Sequence, residues 1–323
     1  MAKKFSVGID LGATKIMAAA FDKKMKIVSR TKGRTRGEKG AKDVAARMAE
    51  LAREALEEAG GPSAELSYAG VGAPGPLDPK KGVVLTAPNL GWKNVPLADM
   101  LRKALKRPVV VDNDVNMGTF GEYIDGAAKG RKLVVGIFPG TGIGGGIVID
   151  GEVIHGASGA AGEVGHIIVE PNGALCGCGR RGCIETIASR IPIACAVVSA
   201  GLRGQAPYVV DRLGTDIDRI KSSDIADAID AGEKVVEDIV RHAARMLGMA
   251  AADIVNILSP DCIVMGGGLV EAMEDIFIKE VAKGIKDFAS PSISPTVEVV
   301  AAKLGDDAVM VGAVENARRR LEL

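Results

Sequence analysis

Residues 5–22 read FSVGIDLGATKIMAAAFD, and residues 132–154 read KLVVGIFPGTGIGGGIVIDGEVI. In each stretch an apolar run meets a glycine turn and then resumes as a second apolar run, the pattern of two paired strands. Its recurrence predicts two related α/β halves facing each other across a cleft. The second copy contains the literal spacing G-x-G-x-x-G at Gly140–Gly145. The dinucleotide-binding form of that motif opens a helix at its last glycines. Here GGIVIDGEVI continues as a strand, so a hairpin presenting amides to phosphate is expected instead.

Outward from these hairpins, residues 43–59 carry apolar positions at helical spacing and end at Gly60-Gly61. RPVVVDNDVNMGTFGEY, residues 107–123, reads as a strand, a polar turn and a helix. Residues 224–257 are mainly helical, and DCIVMGGGLVEAM, residues 261–273, gives strand, triple glycine and helix. A closing helix over 305–321 is expected to return to the first half. The predicted division is therefore a domain of residues 1–122, completed by 305–323, and a second of 123–304. Residues 200–222 show no clear pattern.

Three glycine loops follow strands: Asp10–Lys15 (DLGATK), Gly140–Gly142 (GTG) and Gly266–Gly268 (GGG). Each alone reads equally well as a plain turn. Together, at strand ends of a duplicated α/β chain, they point to a nucleotide whose phosphates face backbone amides. Asp10 is placed to help hold Mg2+, through water. In the polar turn, Asp112, Asn113, Asp114 and Asn116 follow an apolar strand. A carboxylate there suits a base for an alcohol attacking phosphorus, but Asp and Asn are equally good helix caps. One residue of the turn can cap while its neighbour does chemistry.

The 41 basic and 41 acidic side chains cancel, so no general attraction to nucleic acid or acidic membranes is expected. Aromatic residues at 3% argue against a base-stacking surface. No apolar run has the length of a signal peptide or a bilayer span, and a cytoplasmic, reducing setting follows as the expectation. In that setting clustered thiols are metal ligands or catalytic groups more often than disulfides. Cys176, Cys178 and Cys183, with His166 ten residues upstream of the first thiol, supply the Cys3His set of a closed, structural zinc site. Cys195 and Cys262 stand alone in apolar runs and are expected in the core.

The set DLGATK, GAPGP, NLGW, DNDVN, GTGIGGG, GEVGH and CGCGRRGCIE resembles the ROK family of sugar kinases, especially its glucokinases. The motifs run in order from residue 8 to about residue 190, with weaker agreement beyond. The resemblance implies an actin-like, ribonuclease-H-like two-domain ATPase fold holding sugar and ATP in the cleft. Asp114 then matches the catalytic base, with Asn113 beside it on the sugar. Glu163, His166, Glu185 and Asn89 match sugar-hydroxyl ligands, and His166, Cys176, Cys178 and Cys183 the zinc ligands. Asp10, Gly12, Thr14, Lys15, Gly140, Thr141, Gly142 and Gly266–Gly268 fall on the nucleotide side. Zinc on one imidazole nitrogen of His166 would leave the other for a sugar hydroxyl.

The implied reaction is transfer of phosphoryl from Mg·ATP to a hexose, glucose first, by an enzyme assembled as a homodimer or homotetramer. Fructose, mannose, allose and N-acetylhexosamine kinases share the framework, and polyphosphate is an alternative donor. The family also contains sugar-responsive transcriptional repressors with a helix-turn-helix ahead of the first loop. With a strand beginning at Phe5, catalysis is the expected role. Two departures stand out: Ala13 replaces the usual glycine of the first loop, and the segment after the thiols, from residue 188 on, has little family likeness.

Overall fold

The computed structural model describes residues 3–323. It opens with β1 (Lys3–Leu11), β2 (Lys15–Phe21) and β3 (Ile27–Arg34), followed by α1 (Ala41–Gly60) and β4 (Ala64–Ala73). The short strands β5 (Leu77–Asp78), β6 (Val83–Ala87) and β7 (Trp92–Val95) form a small antiparallel sheet of their own. Then come α2 (Leu97–Leu105), β8 (Val109–Asn113) and α3 (Asp114–Asp125). The first large sheet runs β3-β2-β1-β4-β8, antiparallel among β1–β3 and parallel across β1, β4 and β8.

The chain repeats the scheme with β9 (Leu133–Pro139), β10 (Ile143–Ile149) and β11 (Glu152–Val153). Helices α4 (Glu185–Ala188), α5 (Arg190–Leu202), α6 (Pro207–Leu213), α7 (Ser222–Asp230) and α8 (Lys234–Leu258) precede β12 (Cys262–Met265). After α9 (Gly268–Ala272) and α10 (Glu274–Phe288) comes β13 (Glu298–Ala301), and α11 (Ala308–Arg320) closes the chain. The second large sheet has the order β11-β10-β9-β12-β13, with β12 parallel to β9 and β13. In chain order of their own strands both sheets therefore read 3-2-1-4-5, the duplication anticipated from the two hairpins.

Packing separates the chain into two compact units. One holds the chain up to Gly130 together with Gly146–Ala161 and Lys303–Leu323; the other holds Arg131–Gly145 and Gly162–Ala302. This corrects the boundary read from the sequence, which kept 123–304 together. Within the first unit Gly146–Ala161 is tied by Arg319 Nη1, which donates to Gly151 O at 2.7 Å, and by His155 Nε2, 2.8 Å from Asp112 Oδ2.

In the first unit, β2 alternates by face as a strand covered on both sides must. Ile16, Ala18 and Ala20 join the core under α1, whereas Met17, Ala19 and Phe21 join Met310 and Val314 of α11. On α1, Val44, Met48, Leu51, Ala52 and Ala55 form the buried stripe, each large side chain contributing about 1.5–3 kcal/mol by leaving water. Glycines let α11 sit close. A Cβ on Gly70 would lie 1.9 Å from Ala313 O, and one on Gly312 would lie 1.9 Å from Met117 O. In the second unit the expected core cysteines diverge. Cys262 is buried in β12, but Cys195 is exposed on α5. That helix is apolar on nearly every side, so its sequence does not declare which face is covered. Among the described residues no single helix is long and apolar enough to cross a membrane.

Candidate active site

The first unit carries two unusual carboxyls. Asp114 begins α3 where β8 ends, and the cap of that helix is its neighbour: Asn113 Oδ1 accepts the Asn116 amide at 3.0 Å. Capping thus falls on Asn113 and leaves the adjacent Asp114 carboxyl outside that duty. Asn113 Nδ2 donates to Gly75 O at 3.3 Å, so the side chain predicted to touch sugar is engaged at both ends within the protein. Asp114 Oδ1 accepts the Val115 amide at 2.9 Å. The carboxyl keeps partial access to solvent but is deeply surrounded. Burial pushes its pKa up to about 6, against hydrogen bonds from the Val115 and Asp114 amides and Asn113.

Asp10 ends β1. Burial first, then the charge of Asp114, raise its pKa to about 7, against the opposing pull of Lys15. A buried carboxyl that holds its proton beside another carboxylate is a place where a hard divalent cation fits. The DLGATK turn is tight: Gly12 N donates to Lys15 O at 2.9 Å, and Thr35 Oγ1 donates to Gly12 O at 2.7 Å. Thr14 O accepts the Thr35 amide at 2.9 Å. Lys15, expected to face phosphate, pairs with Asp306 at 3.0 Å. Asn89 lies exposed in the Pro88–Leu90 turn and makes no side-chain hydrogen bond among the described residues.

The second unit carries the other glycine loops and the thiols. Gly140 N donates to Gly142 O at 2.8 Å, closing the turn between β9 and β10, and Thr141 is exposed at its tip. A Cβ on Gly140 would meet nothing within 4 Å. The backbone there is open to a ligand. At the end of β12, Gly267 takes a φ of +83° and a Cβ on it would lie 2.9 Å from Pro139 O; Gly268 then starts α9, and Gly266 N donates to Ile137 O at 3.1 Å.

The ligand atoms of His166, Cys176, Cys178 and Cys183 all lie within 4.8 Å of one another. Cys176 Sγ is 3.7 Å from His166 Nδ1, and Cys178 Sγ is 3.6 Å from Cys183 Sγ. Bonds of about 2.3 Å to a tetrahedral ion place neighbouring sulfurs roughly 3.7 Å apart, which the Cys178–Cys183 separation matches. The loop is closed by Cys176 N donating to Arg180 O at 2.8 Å. Gly182, at φ +75°, presses so close to Glu170 O that a Cβ would lie 1.5 Å from it. The Arg180 amide and guanidinium lower Cys178 to about 6, toward the thiolate that a metal takes.

Glu163 and Glu185 flank these ligands. His166 uses Nδ1 toward the thiols, and its Nε2 lies 3.8 Å from Glu163 Oε2. Glu185 Oε2 accepts the Ile143 amide at 2.9 Å, and its Oε1 is 3.8 Å from Cys176 Sγ. Glu163 thus lies beside the imidazole and Glu185 beside one thiol. Sequence reasoning missed His155, Asn316 and Asp306, which reach Asp112 or Lys15 from distant parts of the chain. No local pattern announces such contacts.

A family model described as ROK family matches residues 6–320. The glucokinase of Halalkalibacterium halodurans is 35% identical over 316 residues, covering 97% of this chain and 94% of that protein. The glucokinase of Thermotoga maritima is 34% identical, covering 99% of each. Among solved structures, a ROK family glucokinase from Streptomyces griseus in complex with glucose and AMPPNP superposes with a TM-score of 0.83. It is 32% identical and covers 98% of this chain and 99% of that one.

Proposed function

The chain belongs to the ROK family, and from that premise we propose that it is an ATP-dependent sugar kinase that phosphorylates glucose. Its fold is the actin-like ATPase fold of the family's sugar kinases. The observation that carries the reading is Asp114: a carboxyl at the strand-to-helix turn of the first unit, raised to about 6 by burial. That value leaves it ionised at neutral pH yet basic enough to take a proton.

In this reading Asp114 accepts the hydroxyl proton of the hexose as that oxygen attacks the γ-phosphorus. The new O–P bond forms while the bond to the departing ADP oxygen breaks. Asp10 would hold magnesium, which neutralises charge on the phosphate oxygens when bound. The amides around Gly12, Gly140–Gly142 and Gly266–Gly268 steady the phosphates. Glu163, His166, Glu185, Asn89 and Asn113 take the sugar hydroxyls, and hydroxyl-specific acceptors reject sugars that lack the matching group. His166, Cys176, Cys178 and Cys183 would hold zinc, which would supply no reacting atom but would fix the imidazole through Nδ1. Assembly of two or four copies in the cytoplasm belongs to the same reading.

A panel of glucose, fructose, mannose, allose and N-acetylated hexosamines assayed with Mg·ATP tests it, reading kcat/KM for each. Glucose is expected to lead. Replacing Asp114→Asn is expected to lower kcat by about 10²- to 10⁴-fold, the range for losing a general base, while glucose still binds. Undiminished turnover in that variant would remove Asp114 from the reaction.

A further inference from the structure

Asp112 is only 1% exposed, and no ligand described above accounts for it. One of its oxygens accepts the Asn113 amide at 2.8 Å and lies 3.1 Å from His155 Nε2. The other accepts Asn316 Nδ2 at 3.1 Å, lies 2.8 Å from His155 Nε2, and has Arg320 Nη1 at 3.9 Å. A buried carboxylate is tolerated when such donors surround it. Every one of these groups belongs to the first unit. Two separate segments, the stretch around His155 and the end of α11 bearing Asn316 and Arg320, therefore converge on the residue two places before Asp114.

The geometry points to His155 as a positioning residue for the base: by donating Nε2–H to Asp112, it fixes the Asp112–Asn113–Asp114 turn. The inference rests on reading Asp114 as the base. A carboxylate can only accept, so the pairing demands that the neutral imidazole carry its proton on Nε2. With that donor in place, His155 lies against both carboxylate oxygens of Asp112, including the one that receives the Asn113 amide. The carboxylate at the head of the turn is thereby held from outside its own strand. Without it, the remaining donors are Asn316, Arg320 and Asn113 itself, and the turn is free to follow them. Displacing a base by about 1 Å is worth roughly 100-fold in rate. His155 also stands seven residues before the point, between Ala161 and Gly162, where the chain leaves the first unit for Glu163 and His166. The segment leading to the sugar ligands and the turn bearing the base thus share one anchor.

The test compares His155→Phe, which fills the space without a donor, with His155→Gln, whose amide can donate in its place. His155→Phe is expected to lose about 10- to 100-fold in kcat with little change in KM for ATP. The acidic limb of its pH–rate profile should move upward, as Asp114 loses the amide hydrogen bonds that oppose burial. His155→Gln should recover most of both. Equal losses in the two variants, or wild-type values in His155→Phe, would overturn the proposal. If His155→Phe does not fold, long-range proton–nitrogen NMR of the intact protein decides: a neutral His155 protonated on Nδ1 would exclude the donation. Failure of the kinase reading is separately visible, because the wild-type protein would then turn over no hexose, whereas the tautomer stands apart from turnover.

Discussion

Glu185 Oε2 accepts the amide hydrogen of Ile143 at 2.9 Å, so a carboxylate next to the thiols braces the glycine hairpin of the second unit. A Cβ on Gly142 would lie 2.6 Å from the same oxygen, so a larger residue there would push the Glu185 carboxylate off the Ile143 amide. One side chain therefore ties the segment after the thiols to the glycine hairpin.

Substitution at Glu185 should separate that tie from the sugar contact proposed for it. Glu185→Gln retains an oxygen for the Ile143 amide but loses the charge offered to a sugar hydroxyl. Its KM for glucose is expected to rise about tenfold or more, the worth of a charged hydrogen bond, with KM for ATP within about twofold, since that backbone bond is kept. Glu185→Ala should raise both. Steady-state kinetics with each substrate varied in turn checks this, and matching profiles for the two variants would contradict it.

The paired carboxyls of the first unit predict how rate and stability respond to pH. For catalysis, kcat/KM should fall as pH drops through about 6, where Asp114 takes up its proton. For stability the sign runs the other way. Asp10 and Asp114, raised from 3.8 to about 7 and about 6, bind protons more tightly folded than unfolded. Their contribution is complete below the unfolded value and is lost as pH climbs through the folded ones. Asp114→Asn should therefore gain thermal stability over wild type as pH rises across that window. A Tm difference that is flat with pH, measured without metal, would refute it.

Protein purified without added zinc should contain roughly one zinc per chain, as a single four-ligand site requires. Cys178→Ser should lose the ion and lower Tm. If His166 serves glucose as proposed, chelation is expected to weaken glucose binding more than nucleotide binding. Calorimetric titration of each ligand before and after chelation reads this, and equal weakening would mean general unfolding.

Gly312→Ala would set a methyl group against Met117 O on α3, and neither backbone can give way easily. A loss of about 1–3 kcal/mol is expected for such overpacking, read by urea unfolding at constant slope. An unchanged midpoint would show that α11 has slack against α3.

Local signals in the sequence were reliable where one residue type has few alternatives. The hairpins at Asp10 and Gly140, the cap at Asn113 and the Cys3His cluster are short-range features, and each is visible in a few adjacent letters. The placement of Gly146–Ala161 in the first unit was not, because it depends on His155 reaching Asp112 across 43 positions. Lys15 shows the same limit. Its motif suggested phosphate, while the partner the fold supplies is Asp306, 291 positions away. Cys195 misled for a different reason: an evenly apolar helix carries no periodic mark of its outer side.

The seating of α11 also has a consequence for biosynthesis. Translation delivers β1, β4 and α3 long before residues 308–320 exist, yet Met310 and Val314 cover one face of that early sheet. Until residues 308–320 have been made, that face lacks its native cover. The second unit, whose contiguous bulk ends at Ala302, can mature first, inverting the usual order in which N-terminal parts fold ahead of C-terminal ones.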